Sequence, residues 1–344
     1  MNCRVRACRH LPRIVCYAAT ACYALLIGCG TASITSATPP ASGGNSTSAS
    51  AVQTGAQLGL AWSPGDATLR PIVGVPGSAQ FGSSIVAAGS YSNATYSAQG
   101  QVALIVDKSN NLYLLTLPGS QPALLTQGVP AGATIRFSPL GGYAVVYAPG
   151  ASSATLISGL PKQPLASQIT AGAAIQAAAV SDAGTSLLAV GASSGAAITA
   201  ITASGTRSTV ATLAGYGGMS FLAGSEDILV ADSVANTLSR LHSGSAQTLA
   251  TSKDGLNQPL AVAASLDGRW AVTANQANGT LVRIDLTAAT PAVQSTCSCS
   301  PSALLPLSGN AVFQLTAPGT GASWMIEADD LAPRVLFIPP ARHS

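Results

Sequence analysis

The chain has 344 residues, of which 47% are apolar, 5% aromatic and 8% charged. That apolar fraction excludes the low-hydropathy, high-charge class of disordered chains, and the length suits two average domains or one larger all-β domain. The formal charge of +3 comes from the leader: Arg4, Arg6, Arg9 and Arg13 precede residue 14, and beyond them 11 scattered basic residues face 12 acidic ones. No basic stripe is present to neutralise phosphates, which excludes a nucleic-acid partner.

In chain order, the basic leader is followed by fifteen mostly apolar residues, 14–28. This length suits the apolar core of a secretory signal and falls short of the ~20 residues that span a bilayer. The segment ends in Leu26-Ile27-Gly28-Cys29, which resembles the lipobox of bacterial lipoproteins. The resemblance implies export, removal of residues 1–28 and a diacylglycerol on Cys29, hence a membrane partner through the lipid anchor. Gly30 is not the Asp that retains such proteins at the inner membrane in Gram-negative families, so the resemblance points to the cell envelope and, in such a cell, its outer membrane. Residues 29–56 are rich in Ser, Thr, Ala, Gly and Pro and carry no charge, as expected of a flexible tether.

From residue 57 a repeat takes over. A polar or Gly-containing turn recurs at Gly100, Gly141, Gly184, Gly224, Gly268 and Gly309, at spacings of 41, 43, 40, 44 and 41 residues. After each Gly comes an alternating apolar run, then a small polar turn, a second alternating run and a shorter third run. This is the signal of short strands joined by hairpins. Four short strands per ~42 residues is the unit of a β-propeller blade. The Ala-rich runs AIQAAAV and PLAVAAS suit the crowded innermost position. Strands of five to seven residues with few aromatics exclude an outer-membrane barrel, whose strands run ~9–11 residues between aromatic girdles.

The clearest copy, SLDGRWAVTANQANGTLVRIDL at 265–286, resembles the YVTN-type propeller repeat, and RFSPLGGYAVV is similar to WD-type and TolB-like repeats. These resemblances imply fold alone. Residues 57–340 accommodate seven four-stranded antiparallel blades, with six blades plus an N-terminal hairpin as the alternative. The segment before Gly100 aligns with the outer half of a blade. Residues 341–344 form a tail.

Chemistry is sparse. His242 sits at a strand end and His343 beside the terminus, so neither reads as a catalyst, and no paired-histidine zinc motif is present. Asp182 and Asp267 occupy the turns before strands, where Asp is favoured because its side chain bonds nearby backbone N–H groups. Asp107, Asp232 and Asn275 lie in turns after the second strand and are the candidates for a site facing the channel. Propeller lactonases and related hydrolases set acidic and Asn side chains around a central divalent ion, so a lactonase-like hydrolase is the alternative function. The EADD run at 327–330 reads as a solvated hairpin tip. Cys297 and Cys299 are a candidate local disulfide for an exported chain.

The expected function is a non-enzymatic, lipid-anchored propeller, monomeric and without cofactor or metal, that binds a protein or glycan partner. A structural subunit of an envelope assembly is the third alternative.

Overall fold

The computed structural model describes residues 56–340, apart from 100, 119–120, 193–194, 289–291, 319–320 and 330–331. The expectations for the leader, the tether and lipidation at Cys29 therefore lie outside the described residues, as do the tail and His343.

The alternating runs form antiparallel strands that group into seven sheets, a seven-bladed β-propeller. Blade 1 covers residues 57–81, blade 2 91–126, blade 3 134–170, blade 4 175–213, blade 5 216–250, blade 6 259–296 and blade 7 305–338. Blades 2 to 7 have four strands each and blade 1 has three. Each apolar run after a repeat Gly becomes the second strand of its blade, as with Val102–Asp107, Ile228–Asp232 and Trp270–Asn275.

The recurrent turn has a backbone cause. The carbonyls of Ser138, Ser181 and Ser265 accept hydrogen bonds from the N–H groups of Gly141, Gly184 and Gly268, at 2.9, 3.1 and 3.0 Å. The Ser hydroxyls accept from residues further round the turn: Tyr143 N, Thr185 N and Trp270 N. These three glycines have φ of 79°, 88° and 69°, the left-handed region where a side chain is costly. Ser and Gly thus recur three residues apart because each closes one part of the same turn.

The core is divided among the blade interfaces. Seven buried apolar clusters, one between each pair of neighbouring blades, account for the packing of the described residues. Each sheet buries both faces against its neighbours, so stability is a sum of nearest-neighbour interfaces closed into a ring.

The innermost strands surround the axis, where space is tightest. A Cβ on Gly218 of blade 5 would lie 2.8 Å from Val262 N and 2.9 Å from Ala261 Cα in blade 6. The small side chains of Ile175–Val180 and Pro259–Ala264 answer the same constraint.

Blade 1 keeps the outer part of a blade, with its first strand one place nearer the axis than the alignment made from sequence puts it. Its first strand, Gln57–Ser63, packs beside the innermost strand of blade 2 as second strands do elsewhere in the ring, and its Leu60 and Trp62 line the axial cavity. The segment supplies the second to fourth strands of a blade: Gly89 N donates to Ala67 O, just as Val129 N after blade 2 donates to Asn110 O in that blade's second-to-third hairpin. Ring closure uses no strand shared between the chain ends among the described residues. Instead Leu58, Ile72 and Ala79 of blade 1 pack on Leu307, Val312, Met325 and Ile338 in and around blade 7, and Ser308 N donates to Leu58 O.

Candidate functional site

Antiparallel strands place all second-to-third-strand hairpins and all links between blades on one face of the ring, and the Ser-Gly turns on the other. Asp107, Asp232 and Asn275 end second strands, so they belong to the first of these faces.

Each of the three is occupied in holding its surroundings. Asp107 accepts from Ser109 N and Asn111 N, both at 2.8 Å, and from the Asn111 amide and the Tyr113 hydroxyl at 2.9 and 3.1 Å. Desolvation alone raises its pKa, but these bonds outweigh it and hold the carboxyl below the ordinary carboxylate range. Asp232 is buried and accepts four backbone N–H bonds. Two come from Ala214 and Gly215 in the link from blade 4, at 2.7 and 3.1 Å, and two from Val234 and Ala235 in its own hairpin, at 3.0 and 2.9 Å. Asn275 is fully buried; it accepts from Asn257 N and donates to Gly255 O and Thr280 Oγ1. In blades 5 and 6 the strand-end side chain thus ties the incoming link to the outgoing hairpin. Thr316, which the sequence reading missed, serves blade 7 at the corresponding position, accepting from Trp324 N at 2.9 Å.

The three lie on the expected face but are not among the residues that line the axial cavity. The physical reason is that a buried peptide N–H in a link needs an acceptor, and these side chains are the ones in reach. Their oxygens converge on backbone amides, and among the described residues no group of three His, Cys, Asp or Glu side chains is arranged as a metal site.

On the opposite face, Asp182 and Asp267 do more than shape their own turns. Asp182 accepts from Leu140 N in blade 3 and Gly224 N in blade 5, at 2.8 and 2.9 Å, and so bridges three blades. Asp267 accepts from Ser265 Oγ and Arg269 N in its own turn and from Asn310 Nδ2 of blade 7. Opposing desolvation, these bonds lower its pKa.

His242 ends a third strand with its side chain mostly exposed; its Nδ1 lies 2.6 Å from Asp227 Oδ1. Arg240 also pairs with Asp227, which is buried; desolvation is outweighed by His242 and Arg240, so its carboxyl stays below the ordinary range. In the 327–330 run, Glu327 pairs with Arg334 across a hairpin and Ala328 is buried, so only part of the run is the solvated tip read from sequence. Cys297 and Cys299 are joined by a disulfide with Cα atoms 5.0 Å apart, in the link between blades 6 and 7.

The axis holds a cavity of about 490 Å³ lined by the innermost strands of all seven blades. Its wall is built largely from Ala, Leu and aromatic side chains, and the charged side chain on it is Arg136 of blade 3.

Comparison with solved structures agrees with this architecture. The chain is similar in fold to a functionally unknown protein from Desulfotomaculum acetoxidans, with a TM-score of 0.56 and 12% identity over 83% of this chain and 100% of that one. It is also similar to a streptogramin B lyase, with a TM-score of 0.55 and 14% identity over 80% of this chain and 87% of the lyase. A virginiamycin B lyase from Staphylococcus aureus gives a TM-score of 0.52 and 13% identity, covering 72% and 83%. At these identities the likeness is one of fold. A scan against protein-family models finds no match, and neither does a comparison with curated proteins.

Proposed function

We propose that the chain is an exported, lipid-anchored β-propeller that works as a non-enzymatic binding module in the cell envelope. Cys29 carries the lipid, residues 29–56 lift the ring from the membrane, and the propeller presents a face to a protein or glycan partner. The observation that carries this reading is the engagement of Asp107, Asp232 and Asn275, the side chains best placed in sequence for chemistry, by backbone amides of their own hairpins and links. A side-chain oxygen that accepts several fixed N–H bonds has few lone pairs left for a substrate. The fold adds support, because a propeller offers two broad rigid faces built from hairpins that vary without disturbing the blades.

The test uses the full chain in its native envelope. After acyl labelling and fractionation, the native chain is expected in the membrane fraction with label, and Cys29→Ala in the soluble fraction without it. Membrane retention of unlabelled Cys29→Ala overturns the anchor. Chemical cross-linking of the native chain is expected to trap a discrete partner species, and a chain recovered solely as monomer overturns the binding role.

A further inference from the structure

We propose that the axial cavity is a binding site for a small organic anion, a single carboxylate carried on an apolar or aromatic body. This site is separate from the surface that the proposed function assigns to a partner.

The size is right: about 490 Å³ falls inside the roughly 300–1,000 Å³ of small-molecule sites. The charge is more telling. Arg136 lines the cavity, and no Asp or Glu does among the described residues. No carboxylate of the described residues lies within ion-pair distance of it; its guanidinium donates from Nη1 to the adjacent Ile135 carbonyl, at 3.3 Å. A guanidinium has five N–H donors in a planar fork that matches a carboxylate. Most of that fork remains for a ligand. With this one positive charge and no opposing carboxylate on the wall among the described residues, an anion is favoured over a cation.

The surroundings define the rest of the ligand. Tyr147 and Tyr216 also line the cavity, and Tyr216 interacts electrostatically with both Arg136 and Tyr147. Desolvation, with Tyr147 beside it, pushes the Tyr216 phenol up, so it stays a neutral hydroxyl that does not compete for the guanidinium. Trp62 and Phe137 offer aromatic surface, and the alanines of blades 4 and 6 leave room for an apolar body. One cation on the wall matches one negative charge. A doubly charged phosphate would carry an unmatched charge into an apolar space.

The test is calorimetric titration of the full chain in detergent with three probes: phenylacetate, its neutral isostere phenylacetamide, and inorganic phosphate. Phenylacetate is expected to bind saturably at one site, about tenfold or more tighter than phenylacetamide or phosphate. Arg136→Gln is expected to lose that preference while keeping weak phenylacetamide binding, and Arg136→Lys to restore part of it. Phenylacetate affinity is expected to fall as the pH drops through the probe's own pKa, since the guanidinium stays charged. A thermal melt of each variant separates lost binding from lost folding. The proposal is overturned by absence of saturable phenylacetate binding, by equal affinity for acid and amide, by phosphate binding more tightly than phenylacetate, or by an Arg136→Gln chain that is folded and keeps the acid preference.

Discussion

The turn faces and the axial cavity use polar residues in opposite ways. On the faces, Asp107, Asp232 and Asn275 look in sequence like site residues, yet each has its oxygens filled by amides of links or hairpins. Along the axis polar groups are few, and Arg136 meets no carboxylate among the described residues. In a ring of blades the main-chain donors that leave the sheets need acceptors, and short acidic or amide side chains supply them. A polar residue is therefore informative about ligands where the fold has left it unsatisfied.

Substitutions on the two sides should fail differently. Gly218→Val pushes a branched side chain into the blade 6 backbone, which cannot yield as a flexible side chain would. It is expected to cost about 3 kcal/mol or more in urea unfolding. Asp232→Ala strips the acceptor from four amides and is expected to cost about 2–4 kcal/mol, with Asp232→Asn recovering part of it. Asp182→Ala removes two partly solvated bonds between blades and should cost about 1 kcal/mol by the same measurement. Thr273 is fully buried and its hydroxyl has no hydrogen-bond partner among the described residues. Thr273→Val is therefore expected to be neutral or stabilising by up to about 1 kcal/mol.

Acid sensitivity sharpens the same contrast. The folded-state pKa of Asp227 lies below its ordinary value of 3.8: burial opposes ionisation, and the His242 and Arg240 contacts outweigh it. A depressed carboxyl contributes stability that is complete above its unfolded pKa and is lost as the pH falls through the folded one. Urea midpoints should thus fall in acid below about pH 4. Asp227→Asn should lower the midpoint at neutral pH and flatten that acid limb. An unchanged limb would remove Asp227 from the account.

Much of the fold was legible because its signals are local. Alternation marks the strands, and Ser265 to Gly268 marks a turn whose hydrogen bonds close within six residues. The place of blade 1 was not legible. Its strand LGLAWS alternates like the third strand LYLLT, and alternation does not say which strand lies nearest the axis. The turn role of Asp182 and Asp267 was readable, whereas the bridging of Asp182 to Leu140 and Gly224 depends on residues 42 positions away that only the closed ring brings near. Arg136 was passed over inside an ordinary-looking TIRF strand. A signal existed: it is the one charged residue in the seven innermost strands, whose other positions are apolar or neutral polar.

The most direct measurement is thermal unfolding of three chains, native, Asp232→Ala and Arg136→Gln, each with and without phenylacetate. The native chain should melt higher with the probe, as binding to the folded state requires. Asp232→Ala should melt lower yet gain a similar increment from the probe, and Arg136→Gln should melt close to native and gain far less. An Asp232→Ala chain that melts like native but no longer responds to phenylacetate would contradict the account, because it would place the ligand on the turn face and leave the cavity with nothing to bind.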